Sequence, residues 1–163
     1  MDHILPPEVS VQDFSSNRAR KIGARHGLGR LRIERRIALP RGGRKVTFSY
    51  RIQRLGGGGA PFLFGSELRL RLLDAHFNRV GEAAGVKHFS VVDPSARIEL
   101  CGSLDRPARL WHFPREARVR THRGIERIYR GLSLVCVWEV DGHARRPWTT
   151  RYALSIEDAG DAD

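Results

Sequence analysis

The chain has 163 residues, close to one ordinary domain, and its 40% of hydrophobic residues suffices for a core. Its formal net charge of +11 at pH 7 raises nucleic acid as a partner. All of the 29 basic residues except Lys21, Lys45 and Lys87 are arginines, however, and they are spread from Arg18 to Arg151 rather than gathered in a tract. A solvated basic surface is therefore the first expectation, and an Arg-rich nucleic-acid-binding β-domain stands as an alternative.

Seventeen glycines and 8 prolines weigh against a helical bundle, because each weakens a helix interior by about 1 to 3 kcal/mol. Cys101 and Cys136 are too few for a disulfide framework or a zinc site; both lie in apolar runs and are expected as buried free thiols. No metal and no cofactor are expected. The start, MDHILPPEVS, lacks a secretory pattern, and no run of about 18 apolar residues occurs, so no membrane contact and a cytoplasmic location are expected.

Taken in order, residues 1–28 show neither period and read as an irregular lead-in to a single domain over 29–156. Alternation begins with Leu31 and Ile33, turns at PRGG, and resumes with Val46, Phe48, Tyr50 and Ile52 on one face, which predicts half-buried strands. Four glycines, Gly56 to Gly59, make a loop. Next, Phe62, Phe64, Leu68, Leu70 and Leu72 share one face of a long strand, with Glu67, Arg69 and Arg71 on the other. Further strands are predicted in VKHFSVVD, ARIELC, ARLWHF, LSLVCVWEV and WTTRYALSI. With no amphipathic helix between them, these predict an all-β, antiparallel sandwich. Residues 157–163, EDAGDAD, read as a disordered acidic tail.

The common fingerprints for phosphate loops, dinucleotides, zinc proteases and serine hydrolases are all absent. The densest group of chemistry-bearing side chains is LWHFPREARVRTHRGIERIYRG, residues 110–131. Aromatic rings stack on the C–H faces of sugars while planar polar side chains bond the hydroxyls, so Trp111, Glu116, Glu126, Arg127 and Tyr129 are candidates for carbohydrate binding, with Glu67 as an outlying sixth. The plainer alternatives are an ion pair between Glu126 and Arg118 across neighbouring strands and burial of the aromatics, Trp138 above all, in the core. No catalytic residue is assigned. A mutarotase-like epimerase would need His112 or His122 to converge with Glu116 or Glu126.

The succession DHIL, ERRIAL, VTFSYRI, FLFGSELRLRL, FSVVD, ARLWHFPRE and GIERIYRG resembles the C-terminal β-sandwich of glycoside hydrolase family 57, α-amylases and 4-α-glucanotransferases. The resemblance covers residues 2 to 155, and its most specific parts are FGSEL around Glu67 and the WHFP and GIERIYRG segments. It implies a galactose mutarotase-like supersandwich that serves as a non-catalytic carbohydrate-binding or scaffolding domain. It also implies that the family's catalytic glutamate and aspartate belong to an N-terminal barrel with no counterpart in this sequence. The expected partners are an α-glucan or oligosaccharide and a separate catalytic barrel chain. Departures from the family pattern fall at His122, Arg123 and Arg130.

Overall fold

The computed structural model describes residues 18–23, 30–56, 59–72, 80–141 and 146–159. They form eight strands: β1 (Arg18–Gly23), β2 (Arg30–Ala38), β3 (Lys45–Arg54), β4 (Phe62–Leu70), β5 (Gly81–Asp93), β6 (Ile98–Thr121), β7 (Gly124–Val140) and β8 (Trp148–Asp158). Every pairing is antiparallel. Hydrogen bonds run through the order β1-β2-β3-β8-β6-β7-β4, and β5 pairs with β6.

This open path folds over as a sandwich because β6 serves both layers. Ile98 to Leu104 pair with β8, and Arg109 to Thr121 pair with β7. The first layer is thus β1, β2, β3, β8 and the start of β6; the second is β4, β7 and the rest of β6. Strand β5 follows the other edge of β6 through the corner, where Leu104 to Pro107 face only Lys87 of β5. Such a bulge bends and twists the strand, and Pro107 has no N–H to lose there. The corner is tied to both layers. The Asp105 carboxylate accepts the Thr150 hydroxyl at 2.8 Å and the Arg151 N–H at 2.9 Å, and the Trp138 indole N–H donates to the Arg106 carbonyl at 3.4 Å.

Alternation decides what lies between the layers. Leu100, Leu104, Ala108 and Leu110 of β6, Leu132, Leu134, Cys136 and Trp138 of β7, and Tyr152 and Leu154 of β8 form the buried core, as the sequence pattern predicts for Trp138. Strands β3 and β8 are not ladder neighbours of β4, yet their rings meet those of β4 and β7 between the layers. Tyr50 meets Phe64 edge-on at 5.0 Å and Trp138 stacks on Tyr152 at 6.3 Å between ring centroids. Ser66 places its hydroxyl 2.8 Å from that of Tyr50 and 2.9 Å from that of Tyr152. The buried hydroxyls of Ser66 and Tyr152 and the half-buried one of Tyr50 thereby satisfy one another. Burial, more than any neighbour, pushes the Tyr152 phenol far above its ordinary pKa.

Several expectations need correction. Strand β1 lies inside the stretch read as irregular and pairs with β2 from Arg18↔Arg35 to Gly23↔Arg30. At the other end β8 continues to Asp158, two residues into the segment read as tail; residues 160–163 lie outside the described residues. ARIELC and ARLWHF are one strand, as are GIERIYRG and LSLVCVWEV. Cys136 is a buried free thiol raised by desolvation to about 11, but Cys101 is only half-buried. The PRGG turn does form: the Gly43 N–H donates to the Pro40 carbonyl at 3.0 Å while Gly42 takes φ +67°. Leu72 is partly buried against the core, in line with its predicted face, although β4 ends at Leu70.

Among the described residues no helix is long and apolar enough to cross a membrane.

Candidate functional site

The register divides the six candidate residues between two places. On the outer face of the second layer, direct cross-strand pairing aligns Glu82 of β5, Trp111 of β6, Val135 of β7 and Glu67 of β4 in one row. Paired residues share a face with Cβ atoms about 5 Å apart. The neighbouring row on the same face is Phe113, Ser133 and Arg69, and the row beyond Trp111 on its other side is Arg109, Val137 and Gly65. Trp111 therefore sits at the middle of an aromatic and aliphatic strip, half-buried between two carboxylates, and its indole nitrogen is buried without a hydrogen-bond partner.

The charges nearest Trp111 are engaged with one another, while Arg115, two residues beyond Phe113, makes no ion pair with the described residues. Arg69 donates to both oxygens of Glu67, at 3.1 and 3.3 Å, and the Ser133 hydroxyl donates to the same carboxylate at 2.9 Å. The Arg69 hydrogen bond is the main reason the Glu67 carboxyl is held below its ordinary pKa. Glu67 is thus an ionised hydrogen-bond acceptor near neutral pH rather than a proton donor. Arg109 pairs with Glu82 at 3.2 Å.

The remaining candidates lie beyond the end of β4, on the β6–β7 hairpin. There Glu116↔Tyr129, Arg118↔Arg127 and Arg120↔Ile125 share one face, while Val119↔Glu126 and Ala117↔Ile128 share the other. Arg130 is an extra residue between the pairs Arg115↔Gly131 and Glu116↔Tyr129. Gly131 takes φ +121° at this bulge, and a Cβ there would run into the Leu70 carbonyl oxygen. Glycine is required for both reasons.

Glu126 therefore faces away from Arg118, and the expected ion pair does not form. Its carboxylate instead accepts the Thr121 hydroxyl at 2.8 Å. Arg127 pairs with Glu116 at 3.6 Å. Glu116, Arg127 and Tyr129 are brought together; Glu126 is separated from them, and Trp111 with Glu67 forms a different group. Phe113, Arg69, Arg109, Glu82 and Ser133 escaped the sequence reading, because nothing along the chain says which outward residues of four different strands share a row.

The histidines do not complete an epimerase. His112 packs its ring on Gly81, where a Cβ would collide with it. Four extended residues, about 13 Å, separate it from Glu116, which is already held by Arg127. His122 lies in the exposed turn between β6 and β7. Among the described residues no group of three or more His, Cys, Asp or Glu side chains is placed to hold a metal ion.

Comparison with known proteins agrees with the motifs. The family described as "Alpha-amylase/4-alpha-glucanotransferase, C-terminal" matches residues 24–152. Among solved structures, the chain superposes on 4-alpha-glucanotransferase from Thermococcus litoralis with a TM-score of 0.66 at 19% identity, covering 88% of this chain and 22% of that one. The Slr1438 protein from Synechocystis sp. PCC 6803 gives a TM-score of 0.45 at 10% identity, covering 86% of this chain and 66% of that one. Among curated proteins none matches. The first superposition is a likeness of fold, spanning about a fifth of the glucanotransferase. With the family match running over most of its length, the chain belongs to the C-terminal domain family of α-amylases and 4-α-glucanotransferases.

Proposed function

We propose that this chain is a non-catalytic accessory domain of an α-glucan-processing enzyme, holding an α-glucan on the outer face of its second layer. The observation that carries this reading is the row Glu82, Trp111, Val135 and Glu67, flanked by Arg69 and Arg109. An indole set in a sheet offers a flat apolar surface to a pyranose ring. The ion-paired carboxylates and guanidiniums around it are already oriented, so bonding to sugar hydroxyls costs little further side-chain ordering. Glu116, Arg127 and Tyr129 form a second polar group on the hairpin, which in this reading faces a catalytic barrel chain. Ile125, 75% exposed, and Ile128, 41% exposed, give that hairpin apolar surface, and arginine beside exposed apolar side chains is a composition favoured in protein interfaces.

Titration with maltoheptaose tests the glucan reading. Quenching or enhancement of tryptophan fluorescence is expected in the wild-type protein and is expected to vanish in Trp111→Ala, since Trp138 is buried in the core and Trp148 packs against Phe64 and Trp138, away from this face. Absence of any fluorescence change or calorimetric heat at millimolar maltoheptaose would refute it.

A further inference from the structure

On the outer face of the first layer, three guanidinium groups collect with no ion-pair partner among the described residues. Arg36 of β2 and Arg151 of β8 both pair with Ser49 of β3, one on each side. Arg51 follows two residues along β3 on the same face. Among the described residues none of these three arginines forms an ion pair. The carboxylate of Asp105, at the same place, is taken by the Thr150 hydroxyl and the Arg151 N–H. Glu34 is the cross-strand neighbour of Arg51, yet it too makes no ion pair with the described residues. Together these groups line an open depression of about 350 Å³.

The next row along the sheet is Thr47, Ala153, Ser103 and His88, followed by Lys45, Ser155, Cys101 and Ser90. All but Thr47 line a second depression of about 480 Å³. Rows on one face are about 7 Å apart, so the two depressions adjoin. They make a trough with an arginine end and a floor of Cys101, Ala153 and the hydroxyls of Ser90, Ser103 and Ser155, with Lys45 and His88 at its two sides.

We propose that this trough binds a phosphorylated oligosaccharide, with its phosphate ester held by Arg36, Arg51 and Arg151 and its sugar hydroxyls against Ser103 and Ser155. Like charges brought together on adjacent strands repel, and a phosphate relieves that repulsion while accepting paired N–H bonds from planar guanidiniums. A nucleic-acid strand suits the trough less well. The rings of Phe48, Tyr50 and Phe89 pack against the core, which leaves His88 as the one exposed ring among the described lining residues, too little for a run of stacked bases. The choice of a glucan as the saccharide rests on the function proposed above; the phosphate site does not.

Calorimetric titration of the full chain separates these possibilities, with maltose 1-phosphate, maltose, inorganic phosphate and a twelve-nucleotide oligothymidylate as probes. Maltose 1-phosphate is expected to bind at least tenfold more tightly than each of the other three. The triple variant Arg36→Gln, Arg51→Gln, Arg151→Gln is expected to lose at least tenfold in that affinity. Trp111→Ala is expected to bind maltose 1-phosphate as the wild type does, even if maltoheptaose binding fails. Circular dichroism checks the fold of the triple variant, and the single variant Arg151→Gln, with an expected loss of about threefold or more, provides a milder test. No binding of maltose 1-phosphate, equal affinity for inorganic phosphate, tighter binding of the oligonucleotide, or indifference to the arginine substitutions would each overturn the site.

Discussion

The two outer faces of this sandwich are built on one core and treat charge in opposite ways. Around Trp111 each charge has an answer: Glu67 holds Arg69 and Ser133, and Glu82 holds Arg109. Around Ser49, Arg36, Arg51 and Arg151 make no ion pair with the described residues, although Glu34 and Asp105 line the same depression. In the readings proposed above, the paired, aromatic-centred surface takes a neutral ligand that stacks and accepts oriented hydrogen bonds, and the cationic trough takes an anion. The net charge is the same property of the chain in both places, and local pairing decides what each face attracts.

The strongest test of this contrast is to remove what both faces share. Trp138→Ala empties a core position between the layers, 4% exposed, and is expected to destabilise the domain by about 3 to 5 kcal/mol. Chemical denaturation measures this, and both binding activities should fall together. Ser66→Ala leaves the Tyr50 and Tyr152 hydroxyls without their common partner; a loss of about 1 to 3 kcal/mol is expected for buried groups so orphaned.

Asp105→Ala acts on one side only. It frees the Thr150 hydroxyl and the Arg151 N–H at the corner of the arginine trough, with an expected cost of about 1 to 3 kcal/mol. With one carboxylate fewer beside the arginines, phosphate-ester binding should tighten while maltoheptaose binding is unchanged. If both faces fail equally, the corner serves the whole sandwich rather than the trough.

Glu67→Gln is expected to have the smallest effect on stability, below about 1 kcal/mol, because the Glu67–Arg69 pair is substantially exposed and screened. Its signature is pH. A carboxyl whose folded pKa lies below its ordinary value of 4.5 contributes stability that is fully present above that value. The contribution is lost as pH falls through the depressed folded pKa. Denaturation of wild type and Glu67→Gln at pH 7 and pH 3 should therefore show the difference between them shrinking in acid; a constant difference would mean that Glu67 acts through packing instead.

Much of the fold was legible because a strand's period is local. The inward positions Phe48, Tyr50 and Ile52, and Phe64, Leu68 and Leu70, follow from alternation alone, and PRGG carries its turn in its own glycines. Boundaries were less legible. ARIELC and ARLWHF read as two strands because Gly102, Asp105 and Pro107 are ordinary breakers, yet the Asp105 hydrogen bonds and the bulge opposite Lys87 carry β6 through the corner. The candidate site was legible only in part. Trp111 and Glu67 share a face with neighbours that no spacing reveals, while Glu126 and Arg127, adjacent in sequence, point to opposite sides of the hairpin.

By itself the sequence determined an all-β sandwich, its inward faces, its family motifs and a large arginine excess, because each depends on residue type and short-range period. Only the tertiary structure decided that arginines 15 to 115 positions apart meet around Ser49, and that Trp111 stands between Glu82 and Glu67. The reason is physical: in an antiparallel sheet, neighbours across the strands are set by register, and register here is fixed by the bulges at Lys87 and Arg130 and by the buried face that strand slippage would turn outward.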